Sequence, residues 1–319
     1  MTERILVIRL GALGDFVMAS GAFASIRAFH DTARIVLLTR PVYAGLGRAG
    51  GWFDDVWIDR RPVWWKPHGI LAHKRFLDSG AFERVYDLQI SDRTSAYYHL
   101  LRRPRPEWSG VARGCSLHNH RRELVQYHPV ERHALQLRRA GVQRILPPDL
   151  SMIRTRPPAG MPAGRVALLV PGCAPHRPEK RWPAAHFSAL ARGMLERGIT
   201  PLLIGSPHEA DVLERIAAID PAIVNMMGRT SLEEIVALAR HAVFAVGNDT
   251  GPMHIAATAG CACIVLFSQA SDPDLSRPHG PRVTVLRRDT LGELPPEEVA
   301  QALHSLHVWH RSPPETLKA

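Results

Sequence analysis

The chain has 319 residues, 45% hydrophobic and 22% charged, with a formal net charge of +10. It is long enough for two domains of ordinary size, and no apolar stretch approaches the roughly 20 uncharged residues of a membrane-spanning helix. Its four cysteines, Cys115, Cys173, Cys261 and Cys263, fit neither a disulfide framework nor a zinc pattern.

The N-terminus leads directly into an apolar run over residues 4–10, with no charged-then-apolar leader, so a cytoplasmic location is expected. A helix is predicted over 14–29, strands over 34–39 and 85–90, and helices over 93–101 and 130–140. Asp15 follows Gly11-Ala12-Leu13-Gly14 at the end of the first strand. From spacing alone it reads equally as a helix N-cap or as a carboxylate projecting from the strand end.

Positive charge is concentrated in this half. Residues 1–160 hold 25 Lys and Arg against 14 Asp and Glu, a net of +11, whereas residues 161–319 hold 15 against 16. One cluster comprises Arg60, Arg61, Lys66, Lys74 and Arg75, with Trp64 and Trp65 between them. A second comprises Arg102, Arg103, Arg105, Arg113, Arg121 and Arg122. Such a half implies an anionic partner, or else a solvated basic surface. No helix-turn-helix, zinc or RNA-binding motif accompanies the charge, so nucleic acid is not expected. Arg60, Arg61, Lys66, Arg102, Arg103 and Arg121 are the candidates for holding an anionic acceptor.

A proline- and glycine-rich stretch spans 147–164 and separates the halves. Domains are therefore placed at 1–156 and 165–319, with a linker at 157–164. In the second domain strands are predicted over 165–170, 201–204, 243–246 and 264–267. Helices alternate with them over 184–197, 209–218, 232–240 and 252–259, the third opened by a capping-box pattern at Ser231 and Glu234. A last helix over 296–309 could cross back to the first domain. The alternation predicts an α/β protein of two Rossmann-like, doubly wound domains facing a central cleft at the strands' carboxyl ends.

Gly247-Asn248-Asp249-Thr250-Gly251-Pro252-Met253-His254 joins one of those strands to a helix. Asp249 or Thr250 can cap the helix, and Pro252 suits its first turn. Backbone N–H groups and the positive dipole end then face outward, which makes an anion site with His254 beside it. Asp272-Pro273-Asp274 reads as turn chemistry and not as a metal site.

This run, the opening Ile5 to Asp15, and Pro171-Gly172 ahead of Lys180-Arg181-Trp182-Pro183 together resemble glycosyltransferase family 9, the heptosyltransferase family of lipopolysaccharide core assembly. The resemblance implies a GT-B fold and an inverting, metal-independent transfer of sugar from a nucleotide donor, most simply ADP-heptose. It implies that Asp15 is the catalytic base. The donor diphosphate would meet Lys180, Asp249, Thr250, Gly251, Met253 and His254. Glu209 would bind the nucleotide ribose, and Met226 and Met227 would line the base pocket. One helix terminus contributes about 0.3–2 kcal/mol, against the at least ~8 kcal/mol that catalysis demands, so an ammonium contact has to supply more. The acceptor would be an anionic, lipid-linked glycan, met at the inner face of the membrane through a peripheral contact.

Two departures stand out. Met18-Ala19-Ser20 replaces the family's threonine-rich triplet, and Cys173-Ala174-Pro175-His176-Arg177-Pro178-Glu179 lacks its hydroxyls. They leave room for another nucleotide sugar or a degenerate activity, with His176 or Arg177 taking over phosphate contacts. Other classes are a non-enzymatic binder of anionic polymers and a dinucleotide oxidoreductase. The latter is disfavoured because Gly11-x-x-Gly14 is not a G-x-G-x-x-G turn.

Overall fold

A computed structural model describes residues 2–63, 65–174 and 176–309, and divides the chain into two compact units after Ile153. Trp64 and Pro175, both singled out in the sequence, lie outside the described residues.

The first unit runs β1 (Arg4–Ile8), α1 (Leu13–Met18), α2 (Ser20–Phe29), β2 (Arg34–Thr39), α3 (Ala44–Ala49), β3 (Asp55–Ile58), α4 (Pro67–Asp78) and β4 (Arg84–Asp87). It continues with α5 (Asp92–Leu100), β5 (Glu107–Gly110), β6 (Leu117–His118), α6 (Arg121–Leu124) and α7 (Pro129–Arg139). Its six-stranded sheet has the order β3-β2-β1-β4-β5-β6 and every pairing is parallel. Central β1 is an unbroken apolar run because helices cover both faces of such a sheet; Ile5 to Ile8 are all buried.

The second unit runs β7 (Arg165–Val170), α8 (Ala184–Leu195), β8 (Ile199–Leu203), α9 (Ala210–Ala217), β9 (Val224–Asn225) and α10 (Leu232–His241). Then come β10 (Ala245–Asn248), α11 (Gly251–Thr258), β11 (Cys263–Phe267), α12 (Pro273–Ser276), β12 (Val283–Arg287) and α13 (Pro296–Ser305). Its parallel sheet has the order β12-β11-β10-β7-β8-β9. Counted from each unit's own first strand, the two orders are the same, 3-2-1-4-5-6. The strand order reverses between β1 and β4 in one sheet and between β7 and β10 in the other. Ligands of doubly wound sheets bind outside the carboxyl ends of strands at such points.

Several boundaries differ from the sequence reading. The helix expected over 14–29 is two helices meeting at Ala19. The strand expected over 85–90 stops at Asp87, whose carboxylate accepts from the Gln89 and Ile90 amides at 3.1 and 3.3 Å and bends the chain out of the sheet. β10 continues two residues beyond 246. Gly247 permits this, since a Cβ there would lie 2.6 Å from Val170 Cβ. The start of the proline-rich stretch is packed, with the Leu146 and Asp149 amides donating to Ser25 and Ser20 of α2 at 2.8 and 3.0 Å. The C-terminal helix ends at Ser305 and packs on α8 and β11 of its own unit. Trp309 beyond it packs tilted against Phe244 under the Arg197 guanidinium.

Candidate active site

In the second unit, β10 delivers Asn248 and Asp249 to the carboxyl edge of the sheet. Asn248 is buried and structural: its Nδ2 donates to Pro171 O at 2.7 Å and its Oδ1 accepts from the Trp182 amide at 3.0 Å. It thereby ties the loop after β7, which carries Lys180, to the end of β10. Lys180 Nζ sits 2.5 Å from Asp249 Oδ2, and His254 Nε2 is 3.9 Å from the other oxygen. All three side chains are at most 15% exposed.

Neither expected cap operates at α11. Thr250 has an extended cap backbone but no side-chain hydrogen bond, and the Asp249 carboxylate faces Lys180. Among the described residues nothing accepts from the Thr250 or Gly251 amide. The Met253 amide is not available in the same way, because it donates to Thr250 O at 3.1 Å, and the Met253 side chain is buried. Asp249, as an anion, is unsuited to touching a diphosphate; it orients Lys180, which keeps further N–H donors beyond the one it shares.

Around this centre, Glu209 Oε2 accepts from the Ser206 amide and hydroxyl at 2.7 and 2.8 Å, which is the capping role its spacing also allowed. Its other oxygen lies over Gly172, where a Cβ would come within 1.6 Å and displace the carboxylate. Met226 is buried, and Met227 packs on the core with its amide donating to Asn225 Oδ1. Arg177 is committed to Glu179 and to the Ala270 carbonyl, while the buried Cys173 thiol donates to Arg177 O. Asp272 caps α12.

In the first unit, Asp15 lies in the first turn of α1 without capping it. Arg9 Nη2 is 3.1 Å from Asp15 Oδ2, and Arg132 Nη2 of α7 is 3.7 Å from Oδ1. The carboxylate is 33% exposed, Arg9 only 2%. Arg9 is fixed from behind by donating to Leu88 O. Burial pushes the guanidiniums of both arginines down, while Asp15 favours their charged forms. Beneath Arg9, burial lifts the Asp87 carboxyl to about 7, and Arg9 and the hydrogen bonds to Asp87 oppose the shift.

A cavity of about 410 Å³ opens beside Gly11 and Ala12, lined by Arg40, Arg61, Gln89, Ser91 and Arg93. It holds only Arg61 of the expected acceptor residues. Arg60 stacks over Phe76 at 4.5 Å, Lys66 is exposed at the start of α4, and Arg121 pairs with Asp92 at 2.7 Å. Arg102 and Arg103 line a different hollow with Phe82 and Pro106, at the amino ends of β4 and β5. Sequence reasoning missed Arg9, Arg40, Arg93 and Arg132. An arginine ending a buried apolar strand was the one visible signal, and it pointed to Arg9.

Residues 70–307 match the family model described as glycosyltransferase family 9 (heptosyltransferase). Lipopolysaccharide heptosyltransferase 2 of Salmonella typhimurium is 29% identical over 188 residues, 52% of this chain and 51% of that protein. Aligned in this way, the chain spans a third to a half of the length of such curated relatives. The structure of Escherichia coli ADP-heptose LPS heptosyltransferase II superposes with a TM-score of 0.79 at 21% identity, covering 95% of this chain and 98% of that one. E. coli heptosyltransferase WaaC, solved with ADP, gives 0.78 at 21% identity over 95% and 99%. At these identities the structural likeness speaks for the fold.

Proposed function

The chain belongs to glycosyltransferase family 9, and from that premise we propose that it is an inverting, metal-independent sugar transferase of lipopolysaccharide core assembly, using an ADP-linked heptose. The observation that carries this reading is the second unit's anion site: the Lys180 ammonium held by Asp249 beside the uncapped amides of α11. An ammonium and preorganised amides stabilise charge on a departing diphosphate without a metal. Glu209 Oε1, which lies over Gly172, would accept a ribose hydroxyl. The matched relatives' names supply the heptose and the ADP.

The first unit would supply the acceptor side. Asp15 takes the proton of the acceptor hydroxyl as its oxygen bonds to the anomeric carbon, and the bond from that carbon to the diphosphate breaks on the opposite face. The cavity with Arg40, Arg61 and Arg93 suits a phosphate or carboxylate of the acceptor. An anionic membrane is the natural surface for a lipid-linked acceptor. Trp65 is 82% exposed, and Val63, Lys66, Leu71 and Arg75, close to it in sequence, are exposed too, a mixture suited to a headgroup layer. Among the described residues no helix is long and apolar enough to cross a membrane.

Calorimetry with ADP, GDP, UDP and dTDP, in chelator, tests the reading. Selective ADP binding that Lys180→Ala abolishes supports it. Preference for another base keeps the transferase and discards heptose, and binding of no nucleotide overturns the donor site.

A further inference from the structure

Behind the arginine-lined cavity of the first unit lies a buried polar cluster that the transfer reaction does not use. Asp59, Tyr97 and His73 are 5%, 0% and 0% exposed. Tyr97 donates its hydroxyl to Asp59 Oδ1 at 2.9 Å, its ring lies 4.5 Å from that of His73, and His73 Nε2 is 4.0 Å from the same carboxylate oxygen. Burying such groups costs more than an apolar filling of the same volume would, so the cluster calls for a role beyond packing.

Its outward bonds supply one. The Arg61 amide donates to Asp59 Oδ1 at 3.1 Å, and the Arg93 guanidinium acts on the Tyr97 hydroxyl, opposing the upward push of burial on it. Both arginines line the cavity. Arg61 also has φ +45°, a left-handed conformation that is strained for a non-glycine residue and needs an external hold. Arg93 Nη1 reaches Pro62 O at 3.4 Å, which ties α5 to the same turn.

We infer that Asp59 and Tyr97 are positioning residues that set the two guanidinium groups of Arg61 and Arg93 for one bound anion. One buried carboxylate oxygen thus anchors the Arg61 backbone directly and the Arg93 side chain through a phenol. Forked recognition of a phosphate or carboxylate depends on the angle between donors as well as on their charge. Burial pushes the Tyr97 phenol up and the His73 imidazole down, so the phenol stays a donor and the imidazole neutral. The inference rests on the reading of this cavity as the acceptor's anion site.

The test uses the full chain with ¹⁵N-arginine and inorganic phosphate as the probe. The Arg61 and Arg93 Nε–H resonances, assigned with Arg61→Lys and Arg93→Lys, are followed through a phosphate titration. Tyr97→Phe keeps the ring and removes the relay. It should weaken phosphate at these two resonances about tenfold, as loss of a hydrogen bond to a charged group does, while ADP binding in the second unit stays at its wild-type value. Asp59→Asn retains an acceptor oxygen and should stay within about threefold of wild type, whereas loss of the carboxylate charge alone would matter more if the cluster acted by electrostatics. Wild-type affinity in Tyr97→Phe, with Arg93→Ala impaired, overturns the positioning role and leaves the anion site standing. Resonances that ignore phosphate in the wild type overturn both.

Discussion

The two units share one strand order and each carries a charged pair at its reversal, after the first strand in one and at the end of the fourth in the other. After β1 stands a carboxylate, Asp15, against the Arg9 and Arg132 guanidiniums; at the end of β10 stands a carboxylate, Asp249, under the Lys180 ammonium. In both, the more buried partner orients the more exposed one: Arg9 is 2% exposed and Asp15 33%, Asp249 7% and Lys180 15%. Topology therefore selects the place, and the loop selects the sign of the group turned outward. A base suits one and a diphosphate clamp the other.

The largest effect expected from breaking this comparison is at Asp15. Asp15→Asn should lower kcat by about 10³-fold, within the span of general-base loss, with nucleotide affinity and thermal stability retained; unchanged turnover would remove the proposed base. Lys180→Ala should cost both function and stability, because it leaves Asp249 shielded with only His254, 3.9 Å away, as a charge partner, a loss of up to about 3 kcal/mol by the rule for buried pairs. Chemical denaturation of Lys180→Ala/Asp249→Asn should recover most of the stability, and calorimetry should show no recovery of ADP affinity.

Asp87 sharpens the comparison through pH. Its folded pKa, about 7, lies above the ordinary carboxylate value, so the folded state holds the proton more tightly than the unfolded one. The resulting stabilisation is present below about pH 4, declines as pH rises toward 7, and is absent above. Asp87→Asn keeps an acceptor for the Gln89 and Ile90 amides, so it should flatten that decline and be more stable than wild type at pH 8, by a few kcal/mol at most. A wild-type slope in urea melts at pH 4–7 for this variant would contradict the assignment.

Smaller effects follow. Glu209→Ala removes a capping interaction, for about 1 kcal/mol in denaturant melts, and should also weaken ADP more than adenine-free pyrophosphate if the free oxygen meets ribose. Trp65→Ala/Leu71→Ala should reduce sedimentation with phosphatidylglycerol-containing vesicles by about threefold, in line with lost interfacial anchoring. Equal sedimentation with pure phosphatidylcholine would argue against an anionic surface.

Much of this was legible in the residues. The buried strands at 4–8 and 165–170, the strand–loop–helix at 245–258 and the Gly-Asp turn follow from local periodicity and glycine placement, which neighbours in sequence settle among themselves. β3, β5, β6 and β9 escaped because they are two to four residues long and only partly apolar, so no alternation marks them; the five-residue edge strand β12 escaped as well. The basic clusters were visible as charge, but periodicity could not tell which edge of the sheet each arginine reaches. Arg102 and Arg103 end up at the amino edge, whereas Arg61 and the unremarked Arg40 and Arg93 meet at the carboxyl edge.

By itself the sequence determined the fold class and the family. Tertiary structure alone decided which groups stand free. Asn248 became a tie between loops, the Met253 amide was used inside its own turn, and the Asp249 carboxylate turned to Lys180. The partners explain the difference: Arg9 is held by Leu88, 79 residues on, Lys180 by Asp249, 69 residues on, and Asp59 by Tyr97, 38 residues on. Helix and strand patterns come from interactions a few residues long. A side chain's charge partner depends on how sheet neighbours bring distant loops together, and no local pattern carries that distance.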